Sequence, residues 1–531
     1  MGWPERVAEV LGQFQDRVFL IDARTERMLT YGDLHRSASG LAIVLRDLGV
    51  RRGDRVGALL DNSPEFVTLY FASLYVGATV VPLNPQLHPR EIGVLGQTSA
   101  PQVLVYSPAT QSLVEPLTLS DPQRPILCLA ARRDSPAHAP GGQAVRSWSP
   151  EEPVGASGGW HPFDGVQAAD LFTVTYTSGT TGLPKGVAHR IDGLLGNAAV
   201  FNNELGFTPE SRFYHVLPMA YMAGFLNTLL CPFLAGASVV LDRPFDGRLA
   251  LQFWEAPTRH QVNTLWLVPT ILSALLRVDR GDLGPRFCRE SIKTVCVGTA
   301  PLPLSLKRAF EEKYGVELFE SYGLSETLLT TTNSRKHEQL PRSVGRPLPG
   351  VDLKIAAEDG RLLPGGQDGE IWVRTPFLMA GYLDAHTLQP DAATVGEWFP
   401  TGDVGHLGPT GDLFITGRKK DLIIRGGVNV SPRAVEELLL GHEAVADVAV
   451  VGLPHDLYGE EVVAVVTLRG GYTWSGVQPA LERLCRENLS VSAVPTRFFE
   501  QGEIPKGATG KVQKDRLRKD LAALVGPKPE P

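Results

Sequence analysis

Residues Tyr176-Thr177-Ser178-Gly179-Thr180-Thr181-Gly182-Leu183-Pro184-Lys185-Gly186-Val187 decide how the rest of the chain is read. The stretch combines three Gly, one Lys and the four hydroxyls of Thr177, Ser178, Thr180 and Thr181. Glycine tolerates positive φ and lets a ligand approach the backbone closely. Successive backbone N–H groups in such a loop form a concave anion nest, to which the hydroxyls and Lys185 add donors. A hydrogen bond to a charged group contributes roughly 1.5–3 kcal/mol, so only a dense anion such as a polyphosphate uses this many donors together. The preceding Leu171-Phe172-Thr173-Val174-Thr175-Tyr176 alternates as a strand does, which predicts a loop leaving a strand end. It is not a Walker A loop, because that motif needs Gly-Lys-Ser/Thr and Lys185 stands between Pro184 and Gly186.

Outward from this loop, strand and helix patterns alternate on both sides. Upstream, Phe19-Leu20-Ile21 and Leu29-Thr30-Tyr31 read as short strands and Gly32 to Leu48 as a helix. Arg55–Leu60, Val80–Leu83 and Gln102–Tyr106 read as strands, with helices at Pro64–Val76 and Pro89–Thr98. Residues from about Ala130 to Gly165 are rich in Gly, Pro, Ser and Ala and read as a surface loop. Alternation resumes at Leu171 and runs to about Phe319. This βαβ texture predicts a mainly parallel sheet covered on both faces. After Pro347 the texture changes to strands and Gly/Pro turns, at Val351–Ile355, Gly369–Arg374 and Leu413–Ile415, which predicts a β-rich subdomain. Beyond Gly417 a separate α+β unit is expected, with helices at Pro432–Leu440 and Val477–Leu489 and strands at Val445–Val451 and Glu461–Leu468. The fold class is therefore α/β. A large N-terminal domain (1–417, β-rich from about 347) is followed by a small α+β unit that runs toward residue 531.

Composition narrows the class. A chain of 531 residues exceeds one domain of about 150 residues. Its net charge of −7 argues against a nucleic-acid surface. No signal peptide is visible, since Met1–Arg27 is charged throughout. Two long apolar runs, Phe66–Leu83 and Leu217–Leu241, each change midway from a helical pattern to a β-branched one, so each reads as a buried helix entering a buried strand and not as a membrane span. Five cysteines without a Cys-x-x-Cys pair suggest neither a disulfide framework nor zinc, and fit a reducing cytoplasm.

Further stretches follow in a set order: Val297-Gly298-Thr299-Ala300-Pro301-Leu302, then Glu320-Ser321-Tyr322-Gly323-Leu324-Ser325-Glu326-Thr327, then Phe399-Pro400-Thr401-Gly402-Asp403-Val404-Gly405. Gly417-Arg418-Lys419-Lys420-Asp421, Arg425-Gly426-Gly427-Val428-Asn429 and Ile504-Pro505-Lys506-Gly507-Ala508-Thr509-Gly510-Lys511-Val512 come after them. Together with the glycine-rich loop, these resemble the adenylate-forming superfamily of acyl-CoA synthetases, peptide-synthetase adenylation domains and beetle luciferases, across Phe19 to Arg518.

The resemblance implies ATP, Mg²⁺ and CoA as cosubstrates and a role for each motif. Thr177, Ser178, Gly179, Thr180, Thr181, Gly182 and Lys185 would cradle the phosphates. Gly298, Thr299, Ala300 and Pro301 would admit adenine, with Glu320, Ser321, Tyr322 and Gly323 beside it. Ser325 would reach a phosphate and Glu326 would hold Mg²⁺. Asp403 would accept from the ribose hydroxyls, with Arg418 nearby. Residues 418–420 would be an inter-domain hinge with Lys420 as its pivot, and 421–531 a mobile domain; Gly426 and Gly427 would line the pantetheine tunnel, and Lys511 would be the catalytic lysine.

One departure matters. Where many relatives carry His, Pro218-Met219-Ala220-Tyr221-Met222-Ala223-Gly224 carries Tyr221, so Tyr221, Met222 and Gly224 are expected at the acid pocket and its gate. The implied activity is ATP-dependent ligation of an apolar fatty or aryl carboxylic acid to CoA through an acyl-adenylate. Loading of an acyl carrier protein and a luciferase-like oxygenation stand as alternatives. A homodimer stays open.

Overall fold

A computed structural model describes residues 2–118, 126–129, 145–148, 161–177, 184–384, 387–507 and 511–525. The large domain is built on two nine-stranded sheets. In the first, the strands Arg212–His215, Ser238–Leu241, Thr264–Leu267, Thr294–Val297 and Leu318–Leu324 run parallel beside Val18–Asp22. In the second, Thr79–Pro82, Arg55–Leu59, Val103–Tyr106, Ile126–Leu129 and Val145–Trp148 run parallel beside Leu171–Thr177.

The helix Pro64–Val76 lies in the common core. Ser63 caps it by accepting from the Phe66 N–H, Pro64 starts it and Gly77 ends it in the left-handed region at φ 74. Every one of its 13 residues is buried. Tyr70 stacks on Phe225 with ring centroids 4.0 Å apart and meets Phe172 of the second sheet edge-on. Its neighbour Tyr31–Asp47 begins one residue before the expected Gly32, because Thr30 and Asp33 form a reciprocal capping box.

Three local features were not legible in the sequence pattern. The strand Lys185–Arg190 runs antiparallel to Leu171–Thr177, with Thr177 opposite Lys185. A parallel return needs a crossover of a dozen or more residues, and the glycine-rich loop is too short for one, so the loop closes a hairpin. The buried helix after Leu217 is π-wound over Ala223–Leu230, where the Cys231 N–H donates to the Leu226 carbonyl five residues back. Pro232 has no N–H with which to continue an α-helical ladder, and the Thr228 carbonyl lies beside His215 Nδ1. Third, Val145–Trp148, expected inside a loop, is a strand with Trp148 buried; positions 130–144 and 149–160 lie outside the described residues. No described helix is long and apolar enough to cross a membrane.

The β-rich subdomain is a four-stranded sheet of Asp352–Ala356, Gly369–Arg374, Phe399–Leu407 and Leu413–Arg418. Its last strand runs three residues beyond the expected Ile415, and this extension carries Arg418. The C-terminal unit has a five-stranded sheet centred on the long pair Val445–His455 and Gly459–Leu468. Its helix Pro432–Leu440 packs on the Leu413–Arg418 strand. An Arg342–Glu437 ion pair at 3.3 Å and a Ser431 hydroxyl donating to the Thr416 carbonyl at 2.5 Å join the two domains.

Candidate active site

Three walls of one crevice come from the large domain. The first is the hairpin of Leu171–Thr177 and Lys185–Arg190. Ser178, Gly179, Thr180, Thr181 and Gly182 lie outside the described residues; Thr177 and the exposed Lys185 stand at the two ends of the hairpin, opposite each other.

The second wall is the end of Leu318–Leu324 and the turn after it. Ser321 and Tyr322 are buried, and Gly323, Ser325 and Glu326 are half-buried. Gly323 is required here, because a Cβ would fall 1.9 Å from the Leu328 carbonyl oxygen. The Glu326 carboxylate accepts from the Tyr382 hydroxyl at 2.9 Å through Oε1, and its other oxygen has no protein partner among the described residues. Mg²⁺ keeps several waters and binds through one or two carboxylates plus phosphate oxygens. A single half-buried carboxylate with one open oxygen fits an ion that arrives with a nucleotide. No cluster of three or more His, Cys, Asp or Glu that could hold an ion by itself is present among the described residues.

The third wall is the pair Phe399–Leu407 and Leu413–Arg418, whose register sets Asp403 opposite Arg418. The buried Asp403 accepts from the Tyr322 hydroxyl at 2.8 Å and from Arg418 Nε at 2.6 Å. Burial, then Asp403, push the Tyr322 phenol well above its ordinary pKa, so it stays a donor. The result is a fixed carboxylate with its charge balanced and its orientation held from two strands.

The strand end at Val297 supplies the remaining pocket. A Cβ on Gly298 would lie 2.9 Å from Ser321 Oγ, so the backbone passes close to Ser321. Thr299 sits at φ 72, an outlier for a β-branched residue, and its buried hydroxyl has no partner. Ala300 is half-buried and Pro301 exposed. The Glu320 carboxylate is already taken by Lys307 at 3.2 Å. That pair is nearly buried, with 12% and 8% of the two side chains exposed, so Glu320 braces the wall from behind.

The small domain closes the crevice with Lys511. Its ammonium is lowered from its ordinary pKa by loss of surrounding water, then by Arg418 and Lys420, while Asp403 and Glu326 act in the opposite sense. Lys511 is exposed, with charged groups of both domains around its ammonium. Lys420 lies in the short turn Lys419–Asp421 immediately after Arg418, and is exposed. Gly426 and Gly427, with φ of 59 and 80, form the exposed tip of the hairpin Ile423–Arg425 and Val428–Val430. They are not gathered with the groups above.

The Tyr221 hydroxyl accepts from the buried Asn84 side chain at 2.9 Å, and burial raises its pKa. Gly224 has no room for a Cβ, which would meet the Pro218 carbonyl at 2.2 Å. Met222 is 9% exposed. Met219 and Phe225, close neighbours with apolar side chains, are fully buried in the core.

Two polar contacts escape motif reading. Tyr382 grips Glu326, and the buried His189 donates from Nε2 to the Ser325 carbonyl at 2.5 Å. Neither residue carries a distinctive spacing, and Tyr382 lies 56 positions from Glu326; only pairing of Gly381–Leu383 with Lys185–Arg190 brings them to the site.

Comparison with known proteins agrees along the whole chain. A family model described as AMP-binding enzyme matches residues 7–383, and one described as AMP-binding enzyme C-terminal domain matches 434–511. The sulfoacetate–CoA ligase of Cupriavidus necator is 31% identical over 517 residues, 96% of each chain. The malonate–CoA ligase ACSF3 of Bos taurus is 31% identical over 544 residues, covering 96% of this chain and 89% of that one. The crystal structure of ATP-bound MatB from Rhodopseudomonas palustris superposes with a TM-score of 0.84 at 26% identity, covering 99% of this chain and 100% of that one. With both family models matched in order and a full-length structural counterpart, the chain belongs to the AMP-binding enzyme family.

Proposed function

We propose that this chain is an AMP-forming acid–thiol ligase that activates a carboxylic acid as an acyl-adenylate and transfers the acyl group to CoA. The observation that carries the reading is the convergence of Glu326, the Tyr322–Asp403–Arg418 group and Lys511, from two domains, at one crevice.

A free carboxylate is negative and lacks a good leaving group. Attack of its oxygen on the α-phosphorus of ATP forms the acyl–phosphate bond and breaks the bond to pyrophosphate. In this reading Asp403 orients the ribose, and the loop hydroxyls with Lys185 hold the departing pyrophosphate. Lys511 meets the charge that develops at the α-phosphoryl. Glu326 would hold Mg²⁺, which supplies neutralisation of phosphate charge. Removal of one such preorganised donor costs about 10²–10³ in rate. A thiol then displaces AMP. The two half-reactions need different surroundings, and rotation of the small domain about Arg418–Lys420 would exchange Lys511 for the Gly426–Gly427 hairpin tip at the crevice.

For the acid, an apolar fatty or aryl carboxylate is favoured over an amino acid. Residues 218–225 hold no carboxylate to grip an ammonium, and an unpaired buried ammonium costs several kcal/mol. The next acid, Asp242, is engaged by the Tyr214 hydroxyl at 2.8 Å and the Arg243 N–H at 2.7 Å. An acyl chain gains about 0.8 kcal/mol per buried CH₂. The deciding experiment is pyrophosphate release across fatty, aryl, amino and small dianionic acids, malonate and sulfoacetate included, with and without CoA. A highest kcat/KM for an amino acid or a dianion refutes the apolar-acid reading; absence of pyrophosphate release with every acid refutes the ligase.

A further inference from the structure

Lys185 and Glu326 carry opposite charges on facing walls of the crevice. Both must stay available if a nucleotide with its metal is to bind there. Left unrestrained, they would neutralise one another. Among the described residues no ion pair joins them, and one side chain stands against both. The Lys185 ammonium lies over the Tyr382 ring, 4.8 Å from its centroid, within the range of a cation–π contact. The Tyr382 hydroxyl donates to Glu326 Oε1 at 2.9 Å. A phenol donates and a carboxylate accepts, which sets the direction of that bond.

The backbone holds Tyr382 at this point. In the antiparallel pairing of Gly381–Leu383 with Lys185–Arg190, Tyr382 lies opposite Val187 and Gly381 opposite Ala188. Gly381 has φ 143 and no space for a side chain, since a Cβ would fall 2.5 Å from the Asp391 carbonyl oxygen. The strand Lys185–Arg190 and the segment leading into Gly381–Leu383 hold the turn around Glu326 at two further points. The Met379 N–H donates to the Glu326 carbonyl at 2.9 Å, and His189 Nε2 donates to the Ser325 carbonyl. The strand that bears the loop lysine and the turn that bears the carboxylate are thus one rigid bracket.

We propose that Tyr382 is a positioning residue of the nucleotide site, which keeps Lys185 and Glu326 apart and holds the Glu326 carboxylate with one oxygen open toward the metal that accompanies the nucleotide. The inference rests on the ATP-site reading above. It separates two functions of one side chain: the hydroxyl serves Glu326 and the ring serves Lys185.

The test measures binding of α,β-methylene-ATP to the full-length protein by titration calorimetry, over a series of Mg²⁺ concentrations and without any acid or thiol. Tyr382→Phe keeps the ring and loses the hydroxyl; Tyr382→Leu loses both. The Phe variant is expected to need on the order of tenfold more Mg²⁺ for half-maximal binding, the scale of one hydrogen bond to a charged group, with Mg²⁺-free binding unchanged. The Leu variant is expected to lose affinity severalfold in the absence of Mg²⁺ as well. An unaltered Mg²⁺ dependence in the Phe variant overturns the proposal. Equal weakening by both variants with and without Mg²⁺, accompanied by a lowered Tm, marks a merely structural side chain and overturns it too. If the wild-type protein itself fails to bind the nucleotide, the reading of the ATP site falls and the proposal with it, an outcome distinct from a failure confined to the variants.

Discussion

Acidification should unlock the large domain through two buried histidines. His215, in the first sheet, has Nε2 2.9 Å from the Leu217 carbonyl and Nδ1 3.0 Å from the Thr228 hydroxyl. His189, in the second sheet, has Nε2 on the Ser325 carbonyl and a buried Nδ1 with no partner. Burial lowers both from the ordinary 6.5 to about 4. The unfolded chain binds these protons more tightly than the folded one, so the stability is fully present above pH 6.5. It falls as pH drops below that value and levels off below the folded pKa. At pH 5, about 1.5 pH units below the unfolded value, each histidine costs ~2 kcal/mol at roughly 1.4 kcal/mol per unit. The two together cost ~4 kcal/mol, a large part of a typical stability of about 5–15 kcal/mol. The assay is urea unfolding of the large domain at pH 7.5 and pH 5.0, for the wild type and His215→Gln, which removes one titrating group. The variant should lose ~2 kcal/mol less on acidification than the wild type. An identical loss in both would refute burial of a neutral imidazole as the cause.

The other predictions concern the crevice. Lys511→Ala should lower acyl-adenylate formation by about 10²-fold or more, while thioester formation from supplied acyl-adenylate largely survives; equal loss of both half-reactions would remove Lys511 from its assigned step. Lys420→Pro fixes φ and removes a donor at the hinge, so adenylation should persist and thioester formation fail, and normal overall turnover would refute a moving small domain. Adenylation should also show an alkaline limb with its midpoint below 10.5, because the crevice lowers the Lys511 pKa and the protonated form is lost as pH rises through it. Lys420→Gln removes a neighbouring positive charge and should move that midpoint upward in the adenylation half-reaction; an unmoved midpoint would detach the limb from Lys511.

Much of the fold was legible along the chain. Pro64–Val76 and Pro432–Leu440 match the observed helices residue for residue. Such segments declare their own ends through Ser63, Gly77 and a proline at the first turn. The parallel strands Arg55–Leu59, Thr79–Pro82 and Val103–Tyr106 were likewise legible as short apolar runs, whereas Val145–Trp148 was not. Wherever long-range contacts decide the local geometry, the reading was coarser. The π-winding of Ala223–Leu230 depends on Pro232 together with packing around His215. The extension of the last subdomain strand to Arg418 depends on pairing with Asp403. The apolar Met219 and Phe225 gave no sign of which face they occupy, because hydrophobicity marks burial and not the cavity a side chain borders.

The same division holds for the candidate site. Linear motifs identified the glycine-rich loop, Glu326, Asp403, Arg418 and Lys511 as residues to watch, since unusual backbone chemistry leaves a signature in spacing. They also pointed to the family, through their number and order. Only the tertiary structure decided that Tyr322 and Arg418 share the Asp403 carboxylate, that Glu320 is taken by Lys307, and that Tyr382 stands between Lys185 and Glu326. Those partners lie far apart in the chain or carry no motif of their own. Strand register and domain packing bring them together, and neither is written in the local pattern of residues.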